Sequence, residues 1–194
     1  MTSILVVCTG NVCRSPVAEG LLRNAFVRRL GDGRAPGVTS AGTMGWEGSP
    51  AMPEAVEAAG EKGVDLRGHV ARRLEPSMLR DADLVIAMAQ EHREEIDRIA
   101  PDTAGRTFTL KELTRLVESL PGDAGDLDRR LEAAGALRRD GFEGNPLDED
   151  VSDPLGLPLD TYRAVAWELG AWIERLTDGL VGPVSARPDP AART

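Results

Sequence analysis

The sequence predicts an α/β fold built on a parallel sheet. Three observations carry that prediction: short apolar runs rich in β-branched residues, segments between them with apolar residues at helical spacing, and glycine or proline at most of the junctions. Strands buried on both faces of a parallel sheet read as near-continuous apolar runs instead of alternating ones. Residues 3–7 (SILVV) and 82–89 (ADLVIAMA) have that character.

Taken in order, the first strand covers 3–7 and stops at Cys8. Ser15 and Pro16 then read as a helix start, with serine as the cap and proline at the first helical position. Ala18, Leu21, Leu22, Ala25, Phe26 and Leu30 follow at helical spacing, so residues 8–14 form a tight loop between a strand end and a helix start. A turn over 31–37 leads to a second strand at 38–41. Residues 42–53 are a Gly/Pro-rich loop carrying Trp46, and 54–61 a short helix. The third strand spans 82–89, a charged helix 91–99, a fourth short strand 106–110 and another helix 111–120. Residues 121–150 are rich in Asp, Glu, Gly and Arg, and read as an insertion or flexible excursion with one modest helical stretch near 126–137. After a loop at 152–156, a terminal helix is marked by Tyr162, Val165, Ala166, Leu169, Trp172, Ile173 and Leu176. The stretch 183–194 is proline-rich and poor in apolar residues, which predicts a disordered tail behind a single domain at 1–182.

Composition narrows the function. A chain of 194 residues suits one domain. With aromatics at 4%, the core must be built mainly from Leu, Val, Ile and Ala. The formal net charge of −9 argues against nucleic acid or an anionic membrane as partner, and requires any anionic substrate to be drawn by a local positive site. The two cysteines, Cys8 and Cys13, lie in one short segment, which is no disulfide framework and suits a reducing compartment. The apolar start at 1–7 is too short for a signal peptide or a membrane span, so the expectation is a cytoplasmic protein. The oligomeric state is left open.

The segment Cys8-Thr9-Gly10-Asn11-Val12-Cys13-Arg14-Ser15 carries the chemistry. A loop that curls into a helix N-terminus turns several backbone N–H groups toward one point, where the helix dipole also favours an anion. Gly10 and Asn11 tolerate the positive φ that such a curl needs. Arg14 can grip phosphate oxygens in a bidentate, charge-assisted way, and the same field favours a thiolate at Cys8. A thiolate facing a bound phosphorus combines a nucleophile with transition-state stabilisation. Bare Cys-x5-Arg matches occur by chance, with the cysteine a core thiol and the arginine a surface charge. The strand before and the helix start after favour the functional reading. No Gly-Lys-Ser/Thr follows, so this is not a nucleotide-binding loop of the Walker type, and no His/Cys/Asp spacing suggests a metal.

With Pro16, this segment resembles the signature loop of low-molecular-weight protein tyrosine phosphatases. Ser40-Ala41-Gly42-Thr43, Gly68-His69-Val70-Ala71-Arg72, the third strand and Asp153-Pro154 resemble that family in its order. The resemblance implies three layers with a four-stranded parallel sheet flanked by helices, a cysteinyl-phosphate intermediate and no metal or other cofactor. It implies Asp153 as general acid. By residue type alone Asp153 would be a turn residue before proline. It further implies that Asn11, Ser15, Ser40 and His69 support the loop by hydrogen bonds, and that Trp46 forms an aromatic wall of the substrate cleft. His69 taken by itself reads equally as solvent-facing, Trp46 equally as a loop anchor packed on the core, and His92, in a charged run, as a surface residue. The substrate would be a phosphorylated protein or small phosphomonoester, bound by Thr9, Gly10, Asn11, Val12, Cys13, Ser15 and Trp46 around Cys8 and Arg14.

The chain departs from that pattern in two places. Leu155 and Gly156 stand where the family often carries tyrosines, and 121–150 has no clear equivalent. Protein arginine phosphatases share the loop with Thr at the position of Val12, where tyrosine-type members carry an apolar residue, so Val12 leans toward phosphotyrosine. A thiol-dependent arsenate reductase and a non-catalytic phosphate-binding module are the other readings. Retention of both Cys8 and Asp153 argues against the last, since binding alone needs neither.

Overall fold

The computed structural model describes residues 2–122, 126–141 and 148–183. Four strands form one parallel sheet: β1 (Ser3–Cys8), β2 (Gly37–Gly42), β3 (Leu84–Ala87) and β4 (Thr107–Thr109), in the order β2-β1-β3-β4. Seven α-helices are described: α1 (Arg14–Leu30), α2 (Pro53–Gly60), α3 (Pro76–Asp81), α4 (Gln90–Ile99), α5 (Leu110–Glu118), α6 (Leu127–Arg139) and α7 (Leu159–Val181).

The pleat of β1 divides the core in two. Ile4, Val6 and Cys8 face a large cluster with Leu22 and Phe26 of α1, Leu113 and Leu116 of α5, and Leu169 and Ile173 of α7. Leu5 and Val7 face the other side, with Leu79 of α3 and Ile96 of α4. Helices thus cover both faces, which makes three layers, and explains why β1 and β3 read as unbroken apolar runs. In register, Cys8 lies beside Gly42 at the carboxyl end of the central strand. The chain runs from β1 outward to β2 and then crosses back to β3 on the other side of β1. That reversal opens a crevice beyond the strand ends, the place where sheets of this kind bind ligands.

The structure corrects four expectations about elements. The first helix begins at Arg14 with Cys13 as its N-cap, and no side chain caps it. Ser15 is therefore inside the first turn with its hydroxyl turned elsewhere, and its first-turn amides are left for another acceptor. Helix α3 was not expected, because six residues are too few to show a period. β3 is shorter than 82–89, since Met88 and Ala89 already lead into α4.

The fourth concerns 121–150: the helical stretch expected near 126–137 is present as α6, but it is docked on the core and is no excursion. Within it α6 docks on the core through Ala134, with Leu127, Leu131 and Leu137 partly buried against the same cluster. Arg138 lies over the Phe108 ring at 4.1 Å and donates to the Thr107 carbonyl at 2.6 Å. β4 is an edge strand, and Arg138 is the side chain by which α6 reaches it. Most of the expected tail, 184–194, lies outside the described residues, as do 123–125 and 142–147.

Candidate active site

The loop from β1 to α1 is shaped by its neighbours. The carbonyls of Cys8, Thr9, Gly10 and Val12 accept from the N–H groups of Thr43, Met44, Gly45, Trp46 and Met52, at 2.9–3.1 Å. The Asn11 carbonyl lies 2.7 Å from His69 Nε2. With its carbonyls held outward, the loop turns its amides inward. Those of Gly10, Val12 and Cys13 find no acceptor among the described residues. Gly42 is what lets the second loop lie so close: a Cβ there would come within 2.5 Å of the Thr9 oxygen.

Asn11 is the one described non-glycine residue with positive φ, at 58°. Its side chain meets three partners and so holds that conformation. Nδ2 donates to Ser15 Oγ at 2.9 Å and to Ser40 Oγ at 2.8 Å, and Oδ1 accepts from the Arg72 N–H at 2.9 Å. Ser40 in turn donates to Glu19 at 2.6 Å. Because Ser15 accepts from Asn11, its own hydrogen can go to Cys8 Sγ, 2.9 Å away, and the Asn11 N–H donates to the same sulfur at 3.3 Å. The expected support residues Asn11, Ser15, Ser40 and His69 are thus brought together. Gly10, expected to share the positive φ, does not have it. The Trp46 ring packs beside it, 3.7 Å from where a Cβ would stand, an ordinary contact distance.

Arg14 is 4% exposed, and Nη2 donates to Asp153 Oδ2 at 2.6 Å and to Thr9 Oγ1 at 3.2 Å, while Nη1 donates to the Val151 carbonyl at 3.1 Å. Its Nε is buried with no partner among the described residues. Asp153, 41% exposed, stands at the mouth of the loop, 139 residues from Arg14 in sequence. Trp46 is 44% exposed, with Met44, Leu155 and Leu157 exposed as further apolar groups on these loops. Val12, expected to line the cleft with its side chain, is 2% exposed and belongs to the core cluster, so it contributes chiefly backbone. Cys13 is buried against the Tyr162 hydroxyl, and burial pushes its thiol up to about 12.

His92 overturns its expectation as a surface residue. It is 1% exposed, and Nε2 lies 2.9 Å from Thr9 Oγ1. Burial, reinforced by the nearby Arg14 charge, pulls its pKa down to about 4, so it is neutral near pH 7. The signal that could have found it is position: it lies just past the carboxyl end of β3, where this sheet places its ligand crevice. Tyr162 and Arg72 were likewise not singled out as parts of the site. Among the described residues no cluster of three or more His, Cys, Asp or Glu could hold a metal, and no helix is long and apolar enough to cross a membrane.

A parallel α/β sheet with a Cys-x5-Arg anion loop at the end of its central strand defines a protein of the cysteine-phosphatase class. Within that class the family described as "Low molecular weight phosphotyrosine protein phosphatase" matches residues 3–124, and the chain belongs to it. It is 46% identical over 108 residues to the low molecular weight protein-tyrosine-phosphatase Etp of Escherichia coli, a match covering 55% of this chain and 67% of that protein. It is 32% identical over 179 residues to a protein-arginine-phosphatase of Geobacillus stearothermophilus, covering 91% of this chain and 95% of that one. The crystal structure of a low molecular weight protein tyrosine phosphatase from T. tengcongensis superposes with a TM-score of 0.70 at 34% identity, covering 93% of this chain and all of the other.

Proposed function

We propose that this chain hydrolyses phosphomonoesters of the phosphotyrosine type through a cysteinyl-phosphate on Cys8. The observation that carries the reading is the loop itself: Cys8 Sγ beside inward amides and a buried Arg14, with Asp153 at the mouth. The amides of residues 9–15 and Arg14 hold the phosphate oxygens. Cys8 sulfur attacks phosphorus, the S–P bond forms, and the P–O bond to the leaving group breaks as Asp153 gives that oxygen its proton. Water, its proton taken by the Asp153 carboxylate, then attacks phosphorus and the S–P bond breaks. Ser15 stabilises the departing sulfur. The anion takes over the Arg14 Nη2 hydrogen that Asp153 accepts in the free protein, which releases the carboxyl for proton transfer. No step calls for a metal or other cofactor, so activity is expected in excess chelator.

The substrate is a phosphorylated protein or small phosphomonoester, with Trp46 stacking on an aryl group. The cysteine usage supports the cytoplasm as location, and residues 1–182 are read as one phosphatase domain. Arginine phosphatase activity is the second reading. It is favoured by the near full-length match to the Geobacillus protein and by Leu155-Gly156 in place of tyrosines. The ratio of kcat/KM for phosphotyrosine and phosphoarginine peptides decides between them, with phosphotyrosine expected ahead. Cys8→Ser should abolish turnover of an aryl phosphate yet retain phosphate or vanadate binding. Turnover near wild type in that variant would refute the covalent route.

A further inference from the structure

We propose that His92 is a positioning residue that fixes the guanidinium of Arg14 by way of Thr9. Helix α4 is strongly charged, and the only residues it buries are His92 and Ile96, four apart on one face. Ile96 completes the apolar core beneath the sheet. One turn nearer the N-terminus the same face carries an imidazole whose Nδ1 has no partner, where an apolar side chain would avoid burying an unsatisfied polar atom. What the imidazole adds is Nε2 at 2.9 Å from Thr9 Oγ1, its nearest polar neighbour, with the exposed Glu91 carboxylate at 3.4 Å from the same nitrogen.

Thr9 is the useful target. A guanidinium can only donate, so Arg14 Nη2 takes a lone pair of Thr9 Oγ1 at 3.2 Å. With His92 on its other side, the hydroxyl cannot rotate away from that donor. Two other groups hold the ends of the guanidinium, the Val151 carbonyl on Nη1 and Asp153 on Nη2. In the reaction proposed above, on which this point rests, Asp153 must turn to the leaving oxygen. Thr9 is then the remaining side chain on Nη2. The helix that carries His92 is itself anchored to the acid-bearing segment: no side chain of its own caps α4, and its first N–H, from Gln90, donates to Asp150 Oδ1 at 2.7 Å. His92 therefore stands on a turn that moves with neither loop alone.

The test is a double-mutant cycle read by calorimetric binding of inorganic phosphate to wild type, T9V, H92L and the T9V/H92L pair. H92L is expected to weaken phosphate binding about 10-fold, the scale of one hydrogen bond to a charged network. The double variant should bind no worse than T9V alone. H92Q, whose amide can put a polar atom near the place of Nε2, should recover most of the loss. Additive losses, or wild-type affinity in H92L, would overturn the proposal. If H92L does not fold, H92N, whose shorter amide falls back from Thr9, replaces it in the cycle: wild-type affinity in H92N, or a loss that adds fully to that of T9V, overturns the proposal. Aryl phosphate turnover by wild type is measured alongside. A wild type that binds phosphate without turnover would sink the phosphatase reading, while the binding cycle still decides on His92.

Discussion

Asp153 is the residue whose proposed role is easiest to isolate. A general acid matters in proportion to how badly the leaving group needs a proton, and typically contributes ~10²–10⁴-fold. Asp153→Asn should slow phosphotyrosine cleavage far more than nitrophenyl phosphate cleavage when the phosphorylation step is isolated by burst kinetics. Equal slowing of both would mean that the carboxyl serves to hold Arg14 instead. At this scale the sequence was legible wherever chemistry is local. Cys8, Asn11, Arg14 and Ser15 fall within eight consecutive residues, and their order between a strand and a helix states their use. Ser15 reads two ways in sequence, as a helix cap before proline and as a support of the loop, and the structure keeps the second, with its hydroxyl at the Cys8 sulfur. His92 was missed because a histidine among Glu91, Arg93 and Glu94 looks solvated, and nothing in that run reports the loop above it.

Among the elements, the strap at 148–151 deserves its own experiment. Glu149 is 5% exposed, accepts from Thr109 Oγ1 at 2.6 Å and pairs with Arg115 at 2.7 Å. Asp148 joins Lys111 at 2.7 Å and Arg115 at 3.0 Å, and the Val151 N–H donates to the Met88 carbonyl at 2.8 Å. These ties deliver Asp153 to Arg14. Arg115→Ala leaves the Glu149 charge buried without its cation, and should cost about 2 kcal/mol of stability. Thermal melts check the stability. Burst kinetics should show a larger loss for phosphotyrosine than for nitrophenyl phosphate, as expected of a misplaced acid. None of this could be read in advance. The acidic run 148–150 resembles any solvated loop, and the cations that claim it lie more than 30 residues earlier. Helix α6 was underestimated for a related reason: its apolar positions are few, and part of its docking is done by the stems and charges of Arg130 and Arg138, which composition counts as surface.

For the molecule as a whole, buried ionisable groups set the pH window of stability. His92 has a folded pKa of about 4 against an ordinary 6.5, so the unfolded chain binds a proton more readily between those values. Its contribution is complete above about 6.5 and is lost as pH falls toward about 4. The Cys13 thiol is raised from 9.0 to about 12 by burial, so its contribution is complete below 9.0 and is lost as pH climbs to about 12. Tyr162 is raised to about 12 by burial beside Cys13 and adds to that alkaline limb. Urea melts across pH should show stability falling on both sides, and H92Q should flatten the slope between pH 6.5 and the onset of carboxylate protonation. An unchanged slope in H92Q would assign the acid limb to other groups. The global architecture was the most legible level, because the alternation of buried runs with helical segments repeats along the whole chain. Strand order was not, since nothing in four apolar runs says which lies at the centre. The clamping of α6 has a use outside enzymology. Because Ala134 and its neighbouring leucines hold α6 to the core, a reporter dye placed on the exposed Glu132 of that helix signals its undocking as the fold loosens.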